Sequence, residues 1–239
     1  MHMRCLILSL FFLVSATKLG AQNFDHYVLS LSWSPSWCAT EGKARGSEQC
    51  SNSADFGWIL HGLWPQNDTS WPSYCQSRHA PPSRRLTGSM KDIMGTSGLA
   101  WHQWKKHGSC SDLAAEVYFE MSRYAYENIT RPSLFRRLKE PVTLRAEIVE
   151  TAFLKENPSL NDDMVRVTCK DGHVAEIRIC LNKDLSYRSC APSMRADCDE
   201  TVVMPHYLKR AGLFPLCSHK PRSSDKICPH KDQYPQRDL

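Results

Sequence analysis

Two short segments hold the side chains best suited to chemistry. They are His61-Gly62-Leu63-Trp64-Pro65 and His102-Gln103-Trp104-Lys105-Lys106-His107-Gly108-Ser109-Cys110. Each places histidine close to tryptophan, and the second adds lysine. Two imidazoles and a fixed cation are enough to cleave an RNA phosphodiester without a metal. One histidine takes the proton of a ribose 2′-hydroxyl and the other protonates the departing 5′-oxygen, while the cation stabilises the charge gathering on phosphorus.

Such a set works only if the backbone gathers it. Leu99 to His107 reads as a helix, capped at its start by Thr96 or Ser97 and ended by Gly108 in the left-handed conformation. Residues 102, 103, 106 and 107 then share a face. His102, Gln103, Lys106 and His107 project into one cleft, and Trp104 turns into packing. Phe56 to Leu60 reads as a strand that delivers His61 at its end, opposite that face. A zinc site is the competing reading. The offset of five between His102 and His107 differs from the four of the helical zinc motif, and no acid stands near enough to complete a ligand set. No metal or other cofactor is expected. The remaining histidines, such as His26, His79 and His173, lack such company and read as structural or surface residues.

The rest of the chain supplies a scaffold. Phe24 to Trp33 is a strand that ends at a Ser34-Pro35-Ser36 turn, and Cys38 to Asp55 is a polar loop. Gln66 to Gly98 reads as one long irregular stretch stapled through Cys75. Leu113, Val117, Met121 and Ala125 recur every four residues, predicting an amphipathic helix over 112–128. Shorter helices are expected at 132–139 and 145–156, the second stopped by Asn157-Pro158. Val165–Cys169 and Val174–Leu181 form a hairpin around Asp171-Gly172. Strands and helices mix without βαβ regularity. The fold class is therefore α+β, with a central, mainly antiparallel sheet, packed helices and disulfide staples.

Length and composition bound the cellular setting. Residues 1–21 read as a signal peptide: Arg4 is followed by an apolar run from Cys5 to Val14, too short to span a bilayer. Cleavage is expected after Ala21, with Ala16 the alternative. Residues 22–239 then form a single domain with a tail of low structural content from about residue 206. Removing Cys5 leaves ten of the eleven cysteines, an even number that suits a disulfide framework in an oxidising compartment. The expected location is extracytoplasmic, secreted or periplasmic, with no membrane attachment. The formal charge of +5 falls to +3 without Arg4 and Lys18. Net charge alone does not argue for nucleic acid.

The two histidine segments resemble the paired active-site segments of the ribonuclease T2 family. The likeness runs from the first strand through Ile177-Arg178-Ile179-Cys180-Leu181, and Ser32-Trp33-Ser34-Pro35-Ser36-Trp37-Cys38 is similar to bacterial members. The resemblance implies a metal-free acid endoribonuclease acting on single-stranded RNA as a monomer. It makes 2′,3′-cyclic phosphates first and 3′-phosphates second. It implies His107 as general base, His61 as general acid, His102 as a phosphate ligand and Lys106 as the cation on the phosphorane. Trp64 would stack on a base, Trp71 would offer a second aromatic wall, and Gln66 would read a base edge. The implied disulfides are Cys38–Cys50, Cys75–Cys110, Cys169–Cys198, Cys180–Cys190 and Cys217–Cys228.

One position departs from the family, which has glutamate where this chain has Gln103. If that glutamate acts by donating a hydrogen bond, the Gln103 amide can do the same. If it acts by charge on a histidine, glutamine cannot replace it. The competing function is thus a catalytically weakened, secreted RNA-binding or toxin-like protein on the same scaffold. Retention of both histidines and the lysine favours the enzyme. Asn67-Asp68-Thr69 and Asn128-Ile129-Thr130 match the glycosylation pattern, which has meaning only in a eukaryote.

Overall fold

The computed structural model describes residues 23–206, apart from Asn52, residues 195–197 and Asp199. The expected signal segment, the C-terminal tail and the Cys217–Cys228 bridge lie outside the described residues. Along the chain run β1 (His26–Trp33), α1 (Ser34–Trp37), β2 (Trp58–Gln66), α2 (Arg84–Ser89), α3 (Lys91–Met94), α4 (Ser97–Lys106), α5 (Ala115–Glu127), β3 (Val142–Leu144), α6 (Ala146–Glu156), β4 (Val165–Lys170), β5 (His173–Leu181) and β6 (Val202–Met204). The strands form one sheet in the order β2-β1-β5-β6-β3, with β4 on the other side of β5. Every pairing is antiparallel except the single β5–β6 contact at His173 and Val203. The α+β expectation agrees with this architecture.

β1 lies inside the sheet, and seven of its eight residues are buried. Its Tyr27, Leu29, Leu31 and Trp33 pack with Leu60 and Leu63 of β2 and with Tyr118 and Phe119 of α5. Two tyrosine hydroxyls pin α5 to β2: Tyr118 donates to the Leu63 carbonyl and Tyr126 to the Trp58 carbonyl, each at 2.9 Å. Buried hydroxyls satisfied in this way fix one element against another at no unpaired-group cost. The core face of α5 is therefore Tyr118, Phe119, Ser122, Ala125 and Tyr126, whereas Val117 of the predicted stripe is exposed. A strict repeat of four drifts away from a 3.6-residue turn, and tyrosine bodies serve the core as well as aliphatic chains do.

Other local expectations change too. The Ser34-Pro35-Ser36 turn is the first turn of α1, where proline is tolerated because it sits at the helix start. The long stretch after Gln66 becomes helical at Arg84, with the Ser83 hydroxyl accepting from the Leu86 N–H at 3.1 Å. The segment predicted as a helix at 132–139 is a 3₁₀ turn over Ser133–Arg137. The β4–β5 hairpin turns at Asp171 (φ 50°) and Gly172 (φ 71°), as its sequence requires. Among the described residues four disulfides are formed: Cys38–Cys50, Cys75–Cys110, Cys169–Cys198 and Cys180–Cys190.

Candidate active site

His61 does not end a strand. β2 continues through it to Gln66, and the pairing with β1 slips at this point: Leu31 faces Leu60, Ser30 faces Gly62, and His61 has no partner across the ladder. The extra residue is a β-bulge, a device that re-aims a side chain and resets the alternation of faces. It lets Leu60 and Leu63, three residues apart, enter the same core, which an unbroken period of two forbids. Pro65 is compatible with the strand because β2 is the edge of the sheet.

The aim of the bulge carries His61 to an acid. Its Nδ1 is hydrogen-bonded to Oε1 of Glu176, a buried residue of β5. The Arg178 guanidinium holds the other carboxylate oxygen at 2.7 Å. Burial by itself pushes the Glu176 carboxyl up. The adjacent His61 ring and Arg178 overcome that and hold it at about 2. Sequence reasoning missed Glu176, which sits in a hairpin strand 115 residues from its partner. Its visible signal was the Glu176-x-Arg178 pair, two residues apart and so on one face of a strand that is otherwise apolar beyond His173, where a buried acid needs a reason.

Thr96 caps α4, its hydroxyl accepting from the Leu99 N–H at 3.0 Å. Gly108 does not end the helix in the left-handed conformation. His107 takes the C-cap at φ −122°, and Gly108 begins a 3₁₀ turn. Glycine is needed there for another reason: a Cβ would stand 2.7 Å from the Trp104 ring and 2.8 Å from Tyr118. The expected inward Trp104 is buried against both Tyr118 and Phe119.

His107 and His61 meet at Trp64. His107 stacks on the indole with ring centres 5.1 Å apart and planes 25° apart, while His61 meets the same indole edge-on at 5.3 Å. Arg178 lies over the indole as well, at 5.3 Å. Trp64 is only 9% exposed. Most of the ring is covered, in part by the stacked His107. The Trp64 N–H donates to Gln103 Oε1 at 2.7 Å. An indole only donates, so the oxygen of Gln103 must face it and the amide NH₂ points away. Gly62 makes this possible: a Cβ there would be 2.3 Å from Gln103 Oε1.

His107 is 5% exposed, and its buried Nδ1 has no hydrogen-bond partner. Burial is the main force lowering its pKa, to about 3; the Lys106, His61 and His102 charges push the same way, and Glu176 opposes them. His102 is exposed on α4, its pKa lowered by partial burial and by the charges of Lys106 and His61. Lys106 is half-buried at the end of α4, where its carbonyl accepts from the Tyr74 N–H at 2.9 Å. Gln66 closes β2, half-buried, and Trp71 beyond it is 65% exposed. Neither makes a side-chain hydrogen bond or ring contact with the histidines. A cavity of about 400 Å³ opens beside His61, lined by Ser32, Ile59, Thr96, Leu99 and Glu176 among others. Among the described residues no three His, Cys, Asp or Glu side chains form a group able to hold a metal.

Chemically, the arrangement offers a buried neutral imidazole, a second imidazole backed by a carboxylate, and an ammonium between two helix-borne histidines. The chain is 29% identical to a "Probable ribonuclease" of Haemophilus influenzae over 179 residues, covering 70% of this chain and 61% of that one. It is 35% identical to a "Ribonuclease" of Aeromonas hydrophila over 102 residues, 43% of this chain and 45% of that one. These matches span less than two thirds of either bacterial relative. Among solved structures, RNase NT in complex with 5′-AMP superposes with a TM-score of 0.57 at 21% identity, covering 78% of this chain and all of that one. The sequence model of the Ribonuclease T2 family matches residues 24–190, which include both histidine segments and Glu176. With well over half of its length matched in this way, the chain belongs to the ribonuclease T2 family.

Proposed function

We propose that the protein is an endoribonuclease that cleaves single-stranded RNA without a metal, first to 2′,3′-cyclic phosphates and then to 3′-phosphates. The observation that carries this reading is the pair of histidines on one indole, His107 buried and uncharged, His61 joined to a carboxylate. A neutral imidazole is a base, so His107 removes the 2′-hydroxyl proton. His61, with Glu176 to balance a positive ring, protonates the 5′-oxygen. In the second step the roles reverse, and water attacks the cyclic phosphate. Lys106 stabilises the phosphorane, His102 binds a phosphoryl oxygen and the free NH₂ of Gln103 donates to another. The 400 Å³ cavity beside His61 has the size of a nucleoside site, and exposed Trp71 offers a stacking face, with Gln66 near it to read a base edge.

The four disulfides suit an oxidising compartment, and no described helix is long and apolar enough to cross a membrane. The protein is read as an exported monomer. The test is incubation of purified protein with RNA in EDTA. Cleavage that survives chelation and leaves cyclic or 3′-phosphate ends is expected. Intact RNA would instead mark a binding protein on the same scaffold.

A further inference from the structure

α4 carries two neighbouring stripes at helical spacing. His102 and Lys106 form one, and Trp101 and Lys105 form the other. The second stripe borders a separate shallow cavity of about 290 Å³, lined by Tyr74, Pro81, Trp101, Trp104 and Lys105 among others, with no acidic residue in its wall. Trp101 is 44% exposed and Tyr74 56%, so both rings present area to solvent. Lys105 has no ion pair among the described residues. Tyr74 is also held at φ 53°, a left-handed backbone that bulky side chains resist. It is kept there by its N–H bond to Lys106 and by the adjacent Cys75–Cys110 bridge. Strained residues of this kind concentrate at ligand clamps.

Two solvent-facing rings beside an unpaired ammonium have the composition of a single-strand nucleic-acid surface: bases stack on the rings and a phosphate meets the cation. We propose that the Tyr74–Trp101–Lys105 groove is an additional RNA subsite, lying outside the two nucleotides that flank the cleaved bond. A strand whose phosphate rests at His102 and Lys106 crosses to the neighbouring stripe of the same helix. There its next unpaired base stacks on Trp101 or Tyr74, and its next phosphate meets Lys105. This rests on the ribonuclease reading above.

The experiment compares wild type, Trp101→Ala and Lys105→Gln on a dinucleoside phosphate and on an RNA of about ten nucleotides. Wild type is expected to prefer the longer RNA. Trp101→Ala should lower kcat/KM on it about tenfold, mainly through KM, with the loss confined to the longer substrate. Lys105→Gln should reduce the slope of log(kcat/KM) against log salt by about 0.7 on the longer substrate. An unchanged length preference in Trp101→Ala overturns the subsite, as does an equal loss on both substrates. A DNA strand of the same length, which lacks the 2′-hydroxyl and cannot be cleaved, separates the two readings. About tenfold weaker binding of that DNA to Trp101→Ala supports the subsite even if wild type cleaves nothing. Equal affinity overturns it.

Discussion

His61 and His107 are the same side chain placed in opposite surroundings. His61 stands on a strand bulge, about one third exposed, with a carboxylate on its Nδ1. His107 stands at the end of a helix, nearly sealed, with an unpartnered Nδ1 and cationic side chains nearby. One site supplies a counter-charge for a positive ring; the other penalises a positive ring twice, by desolvation and by repulsion. The difference teaches that acid and base need not differ in residue type. The scaffold separates their roles, and a single indole keeps both rings in register.

Breaking either side should cost the most. His61→Ala and His107→Ala are each expected to lower kcat/KM on RNA by about 10³ with an unchanged circular-dichroism spectrum. Strong residual cleavage in both would refute the assigned roles.

Glu176→Gln abolishes the electrostatic contrast while leaving an acceptor for the Nδ1–H of His61. A fall in kcat on the order of 10² is expected, with KM nearly unchanged. Equal loss in KM would make Glu176 a substrate contact instead. Because its carboxyl is held at about 2, Glu176 stays ionised through most of the acid range.

Gln103→Glu narrows the contrast from the other side. Glutamate keeps the acceptor for the Trp64 N–H and adds a negative charge beside His107, which makes that ring easier to protonate. The acid limb of the kcat/KM profile, low in wild type because His107 stays neutral down to about pH 3, should move toward neutral pH. If turnover also rises, charge is what glutamate contributes in the family; if the limb does not move, the position works through its hydrogen bonds alone.

The smallest effect concerns stability. The folded-state pKa of His107 lies below its ordinary value of 6.5, so between about 6.5 and 3 the unfolded chain binds a proton that the folded chain refuses. Stability is therefore lost as pH falls through that window, by roughly 1–3 kcal/mol between pH 7 and 4. Urea midpoints across pH should show the decline, and His107→Asn should flatten it. Equal slopes in the two proteins would contradict the burial argument.

Much of the site was legible because its residues cluster in sequence: one helix carries His102, Gln103, Lys106 and His107, and a short motif carries His61 and Trp64. What escaped was what only pairing between distant strands creates. The strand expected to stop at Leu60 runs on to Gln66: an edge strand accepts Pro65, and the close approach of Gln103 demands Gly62. Glu176 escaped because a lone acid in a hairpin shows nothing of the ring it will meet. Trp64 was assigned to a base through the family resemblance; its contacts with His61, His107 and Arg178 join residues far apart in the chain and are invisible in the sequence. The sheet and the main helices followed from periodicity; the α5 stripe correctly held Leu113, Met121 and Ala125 but included exposed Val117 and left out the tyrosines that fill most of the contact.

The unpaired position of His61 in the ladder carries one more consequence. The pairs on either side of it, Leu60 with Leu31 and Gly62 with Ser30, close without its side chain. Replacing the imidazole therefore leaves the strand register untouched, so descendants of this chain can lose or exchange the reaction while inheriting the architecture intact.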